Sequence, residues 1–178
     1  MAETIIGRHQ EKTLLEKYYN SGKAEFIAMY GRRRIGKTFL IRQYFKNQFS
    51  FDMTGVLEGN KNEQITAFHM ALKTYGYTGK KNTTWLDSFF ALRQLLEPKL
   101  QDDKRCVIFI DELPCLDTPK AGFVHALGHF WNSWQTGNPK LCSSSAAQPH
   151  HGWFAISSII MEAYTTGLLM RCLSIHSL

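Results

Sequence analysis

Residues 31–38 read GRRRIGKT, with Gly31 and Gly36 framing four residues and Lys37 and Thr38 directly behind. Glycines at these two positions let the backbone curl until successive N–H groups face one concavity, and a helix beginning there adds its positive end. Such a loop cradles phosphate. In a triphosphate site Lys37 would reach the β- and γ-phosphates, and the Thr38 hydroxyl would sit on a magnesium ion. Arg32, Arg33, Arg34 and Ile35 fill the variable positions of the loop. The three arginines read equally well as a solvated basic turn or as further holders of phosphate or of a neighbouring nucleic acid.

The second half of such a site must come from another strand. "VIFIDE" supplies it, four apolar residues running into Asp111 and Glu112. A strand buried on both faces ends there, at the carboxyl edge of a sheet where ligands bind. Asp111 would hold Mg²⁺, usually through water, because hard cations take oxygen ligands. Glu112 would polarise the attacking water, and catalysis would consist of positioning and of neutralising charge on the transferred phosphoryl group. Adjacent acids after a strand are common loop residues, so the pair gains its meaning from the phosphate loop upstream.

These groups need a framework. "RHQEKTLLEKYYNSG" has Leu14, Leu15, Tyr18 and Tyr19 at helical spacing and a stop at Gly22. "EFIAMY" is a short strand into the loop, and the apolar positions after Thr38 resume helical spacing. "FSFDMTGV" reads as a second strand, "NEQITAFHMALKTYG" and "TWLDSFFALRQLLEPKL" as helices, "RCVIFIDEL" as a buried strand and "AGFVHALGHFWNSW" as a last helix. Strands alternating with helices imply an α/β fold, a mainly parallel sheet covered on both sides.

The 178 residues suffice for one domain with a real core, and 44% apolar with 20% charged residues is the balance of a globular chain. No apolar run is long enough to cross a bilayer, and the N-terminus has acids where a signal peptide has a basic region, so a cytoplasmic location without membrane contact is expected. Cys106, Cys115, Cys142 and Cys172 have no zinc-site spacing and read as free thiols. The net charge of +6 permits a polyanionic partner without requiring one.

The segment "IIGRHQEKTLLEKYYNSGKAEFIAMYGRRRIGKTFLI" resembles the start of a prokaryotic AAA-type ATPase of the archaeal-ATPase group, within the STAND-like P-loop NTPases. Members open with a G-R-x-x-E-x-x-x-L element, matched here by Gly7, Arg8, Glu11 and Leu15. "VIFIDELPCLDTPKAGFVHALGHFWNSW" resembles the second motif and the helix after it, with Cys115 where the family often has tryptophan. The resemblance implies a three-layer P-loop NTPase sandwich over residues 1–141, with ATP and Mg²⁺ as cofactors. Its nucleotide-binding residues are Gly31, Arg32, Arg33, Arg34, Ile35, Gly36, Lys37 and Thr38, its metal residues Thr38 and Asp111, and its catalytic residues Lys37 and Glu112. It also puts Ile6, Gly7 and Arg8 near the adenine, although by sequence alone Arg8 is a helix-start residue. A nucleic-acid or protein partner would be engaged through C-terminal regions that have no counterpart here.

Past Leu141 the chain changes character: residues 142–178 hold only Arg171 and Glu162 among strong charges, and seven serines. The resemblance predicts a strand of the type "LIVCGSA" and then a segment like "WMIKKIINNRGGLHNRVT", and the tail matches neither. Written as permitted codons and re-read one base earlier, the tail allows a product containing "CSATSSWMVCNIINNHGGLHNRVTHAL", which holds both elements in order. The expectation is a frameshift near Leu141 or Cys142, an out-of-frame tail over 142–178, and a sheet left incomplete between the strand before the loop and the strand carrying Asp111. "SSIIMEAYTTGLLMRCL" offers a substitute strand or helix, since "ISSII" and "GLLM" are apolar.

Other candidates carry less. Phe68, Met70 and Leu72 read as helix core, Trp131 and Trp134 as one packed helical face, His125 and His129 as surface residues, Lys80 and Lys81 as a solvated loop, and His150, His151 and His176 as incidental. Two functions stay open: Mg²⁺-dependent ATP hydrolysis by the intact gene product, or a nucleotide-dependent switch in which binding carries the signal. A non-functional fragment is the third alternative.

Overall fold

The computed structural model describes residues 7–32, 34–118, 120–147 and 170–175, the last stretch as backbone with the side chain of Leu173 alone. Five helices and five strands alternate much as the periodicity predicts: α1 (His9–Tyr19), β1 (Glu25–Gly31), α2 (Lys37–Tyr44), β2 (Phe51–Thr54), α3 (Lys61–Thr74), α4 (Trp85–Leu96), β3 (Cys106–Asp111), α5 (Phe123–Ser133), β4 (Leu141–Ala147) and β5 (Met170–Ile175). Local chemistry sets several boundaries. Asn60 with Glu63 and Thr84 with Asp87 form reciprocal capping boxes that start α3 and α4. Pro98 opens a short 3₁₀ turn directly behind α4.

The strands form one sheet in the order β2-β3-β4-β1-β5, and every pairing is parallel. Period-two alternation divides the interior between two faces. Phe26, Ala28, Cys106, Ile108 and Ile110 turn toward α3, α4 and α5, whose Phe68, Trp85, Phe89, Phe123 and Trp131 make a core dense in edge-to-face aromatic pairs. Ile27, Met29, Val107 and Phe109 turn the other way, onto Leu15 of α1 and Leu40 and Ile41 of α2. The α/β three-layer architecture is therefore the expected one.

The expected interior gap is filled. Leu141–Ala147 lies between β1 and β3, with Ser144 opposite both Ile27 and Phe109 and Ser145 opposite both Ala28 and Ile110. A parallel ladder is made by backbone groups alone, so a run of small residues without proline can satisfy it whatever its side chains. Met170–Ile175 adds an edge strand beside β1, so the stretch beginning at the end of "GLLM" does join the sheet. Residues 142–147 and 170–175, expected outside the domain, are thus hydrogen-bonded into it.

The substitution leaves a mark. Ser143 accepts a hydrogen bond from Gln135 at 2.7 Å, but the buried hydroxyls of Ser144 and Ser145 have no partner among the described residues. Met70 departs from its expected core role and is 61% exposed, because it falls on the outer face of α3 while Phe68 and Leu72 turn inward. Trp131 and Trp134 are buried, and His125, His129, Lys80 and Lys81 are exposed. Cys106 and Cys142 are buried free thiols and Cys115 a half-buried one. His150, His151 and His176 lie outside the described residues, as does the "ISSII" stretch. Among the described residues no helix is long and apolar enough to cross a membrane.

A buried hydroxyl without a partner costs about 1–3 kcal/mol against an apolar group of similar shape. Ser144→Ala and Ser145→Ala are each expected to raise the melting temperature by roughly 2–12 °C, read by calorimetry. A lower melting temperature in both would place those hydroxyls in hydrogen bonds.

Candidate functional site

The site forms where β1 and β3 reach the carboxyl edge of the sheet. Gly31 closes β1, the chain turns through residues 32–36, and Lys37 begins α2. Gly36 is the residue before the helix and holds φ 79°, a left-handed conformation that strains any residue with a Cβ. Arg34 also has a positive φ, 64°. Arg32 and Arg34 are exposed, and Arg33 lies outside the described residues. Gly31, Ile35, Lys37 and Thr38 complete the loop as the spacing implies.

Lys37 is buried, and its amine donates to the carbonyls of Gly31 at 2.8 Å and Arg32 at 2.7 Å. The side chain thus spans the loop it follows. Burial pulls its pKa below the ordinary lysine value, opposed by the negative charges of Glu112 and Asp111. Both acids expected from the second motif therefore act on this amine.

Thr38 joins the two halves. Its hydroxyl lies 2.9 and 3.1 Å from the two carboxylate oxygens of Asp111, 73 residues away in the chain. Asp111 also accepts from the backbone N–H of Glu112 at 3.1 Å. Its carboxyl is buried, which pushes its pKa above the ordinary carboxylate range, while the Thr38 and Glu112 hydrogen bonds and the charges of Arg42 and Lys37 oppose the shift. A hydroxyl and a carboxylate side by side form a hard oxygen donor set of the kind Mg²⁺ takes.

Glu112 follows in a left-handed conformation, φ 49° and ψ 42°, at the start of the 3₁₀ turn Leu113–Leu116. This turn packs against the end of β2. Gly55 donates its N–H to the Asp111 carbonyl at 2.9 Å, and a Cβ at Gly55 would come within 2.7 Å of the Glu112 carbonyl oxygen. Only glycine fits there. Sequence reasoning missed this contact, for which a glycine at a strand end is the sole signal.

Arg8 was missed in a second way. It does stand at the start of α1, as expected, but its guanidinium also donates to the carbonyl of Ile35 in the loop at 2.9 Å and pairs with Glu11 at 3.0 Å. Gly7 precedes it in the described chain, whereas Ile6 lies outside it. A cavity of about 760 Å³ lies elsewhere, where Tyr19, Tyr44, Lys99 and Arg105 line the amino edge of the sheet, and no described loop residue borders it.

No protein-family profile matches the chain. An uncharacterized ATP-binding protein of Methanocaldococcus jannaschii is 44% identical over 44 residues, a quarter of this chain and 75% of that protein. Among solved structures, the fold is similar to a Walker-type ATPase of Pyrococcus abyssi (TM-score 0.57, 14% identity, 97% of this chain). It is also similar to the ORC2 protein of Aeropyrum pernix, solved as ADPNP and ADP complexes (TM-score 0.64, 15% identity, 99% of this chain). A third likeness is to Drosophila ORC bound to DNA (TM-score 0.56, 9% identity), of which the chain covers 90%. The chain spans about half the length of the two archaeal structures, 54% and 50%.

Asp111→Asn keeps an acceptor for Thr38 and removes a buried charge. Because the native pKa of Asp111 is raised, its ionised form is penalised in the fold at neutral pH, and the penalty vanishes at acid pH below the unfolded value. Ligand-free Asp111→Asn is therefore expected to melt no lower than wild type at pH 7, with any gain shrinking toward pH 4. A clear loss of stability at pH 7 would show that the charge supports the fold.

Proposed function

Since the chain belongs to the archaeal group of AAA-type P-loop ATPases, we propose that residues 31–38, Asp111 and Glu112 form a Mg-ATP site and that the intact site hydrolyses ATP. The observation that carries this reading is the Thr38–Asp111 hydrogen bond, which joins the phosphate-loop helix to the end of the acidic strand. In this reading the loop amides and Lys37 bind the β- and γ-phosphates. Thr38 and Asp111 would hold the metal, which supplies charge neutralisation at the phosphates when bound. Glu112, turned by its left-handed backbone, orients the attacking water and takes its proton. Arg32 and Arg34, both exposed, add positive charge at the rim. ATP-binding in the Methanocaldococcus relative supports the nucleotide, and the DNA-bound ORC neighbour supports a nucleic-acid or protein partner for a longer form.

A second reading concerns the tail. We infer that residues 142–178 are translated out of frame, supported by the hydroxyls of Ser144 and Ser145, which find no partner among the described residues at sheet positions flanked by Ile27, Phe109, Ala28 and Ile110. A native interior strand seldom carries such groups. The coding DNA around codon 141 tests it: the neighbouring frame should continue with family-like sequence, and its absence ends the idea.

Mg-ATP at about 100 times its Kd should stabilise the protein by about 2.7 kcal/mol, a shift of roughly 5–10 °C in melting temperature. Lys37→Ala should remove that shift. Glu112→Gln should keep it while lowering hydrolysis by about two orders of magnitude or more. Wild-type protein that shows no shift would sink the site, and unchanged hydrolysis in Glu112→Gln would remove Glu112 from the mechanism and leave a binding switch.

A further inference from the structure

Arg8 stands far from the loop in sequence and against it in space. The residue before a helix usually contributes a short side chain that caps the first turn. Arg8 makes no such cap and holds a left-handed backbone, φ 57°, directly after Gly7 at φ 75°. A non-glycine residue in this region is strained, and such strain persists where the surroundings impose it. What the turn achieves is reach. One guanidinium nitrogen lies 2.9 Å from the Ile35 carbonyl and another 3.0 Å from a Glu11 carboxylate oxygen, with both side chains largely buried at 12% and 17% exposure.

Ile35 is the residue before Gly36, and their shared peptide is planar with its C=O and N–H pointing in opposite directions. Fixing the carbonyl on Arg8 therefore fixes the Gly36 N–H on the opposite side. Gly36 itself, at φ 79°, has no side chain to resist rotation of that peptide. An external anchor is what such a peptide needs if its donor is to be aimed before a ligand arrives, because preorganisation reduces the ordering cost of binding. Glu11 in turn holds the guanidinium, so the anchor is itself restrained.

We propose that Arg8, held by Glu11, is a positioning residue that presets the Ile35–Gly36 peptide of the phosphate loop and so raises affinity for the polyphosphate part of a nucleotide. The binding consequence rests on the proposed Mg-ATP site, whereas the anchoring of the loop does not. This role differs from a contact with the base: it predicts that loss of Arg8 is felt equally by a ligand with no base.

Two measurements on the full chain test it. In ligand-free protein, tryptic cleavage at the loop arginines, followed by mass spectrometry, is expected to be several-fold faster in Arg8→Ala and in Glu11→Gln, with cleavage after Arg93 unchanged. In titrations, magnesium tripolyphosphate and Mg-ATP should both lose about tenfold in affinity in Arg8→Ala, with Arg8→Lys between. Wild-type loop cleavage rates in both variants, or a loss confined to Mg-ATP, would overturn the proposal. If Arg8→Ala is unfolded, cleavage rises at Arg93 as well, and Glu11→Gln then decides. Wild-type protein that binds neither ligand removes the Mg-ATP site, and loop cleavage alone then decides whether Arg8 anchors the peptide.

Discussion

The hydrogen bond between Thr38 and Asp111 is the contact on which the rest of the arrangement depends, and strand register makes it. Asp111 is level with Ala146 on β4, and Ala146 is level with Met29 on β1. Asp111, at the end of β3, is therefore held level with Met29, two residues short of the Gly31 end of β1 and with one strand between, about 10 Å away at the usual 4.8 Å spacing. The loop after Gly31 and the first turn of α2 close that distance from one side, and the carboxylate closes it from the other. A slip of one residue in β4 would separate the halves and turn its side chains to the wrong faces.

Two apolar faces hold this register against an electrostatic cost. Lys37 and Asp111 are both buried, and burial disfavours the charged form of each. Their mutual attraction and their hydrogen bonds offset part of the penalty. Dense aromatic packing on the α3–α5 side and the Ile27, Phe109, Leu40 and Ile41 cluster on the other supply the stabilisation that lets the carboxyl edge remain unfavourable. Perturbed charges at the end of a well-packed sheet are the pattern of a functional site.

Much of this was legible in the residues. The glycine-framed loop between β1 and α2, the acids at the end of β3 and the helices around them follow from spacing and periodicity, since both signals are local. β4 was not legible, because "LCSSSAA" has neither the β-branched run nor the alternation that marks a strand. Its place is set by the two flanking ladders, which are tertiary. Met70 was misjudged for a related reason: "AFHMAL" offers apolar residues on more than one helical face, and only packing chooses among them. The reach of Arg8 to Ile35 and the close approach of Gly55 to Glu112 depend on contacts between distant segments and leave no local pattern. Arg8 illustrates the limit well, being correct as a helix-start residue and incomplete as an account of its side chain.

The amine of Lys37 already rests on two carbonyls of its own loop. Under the proposed role, arrival of a phosphate would be an exchange, in which the ammonium gives up two neutral dipoles for an anion. A weak acceptor or a lightly charged visitor gains little from that trade, while a polyanion gains much. A loop so arranged would discriminate by charge before it reads any shape, and its resting contacts would favour a polyanion over small neutral solutes.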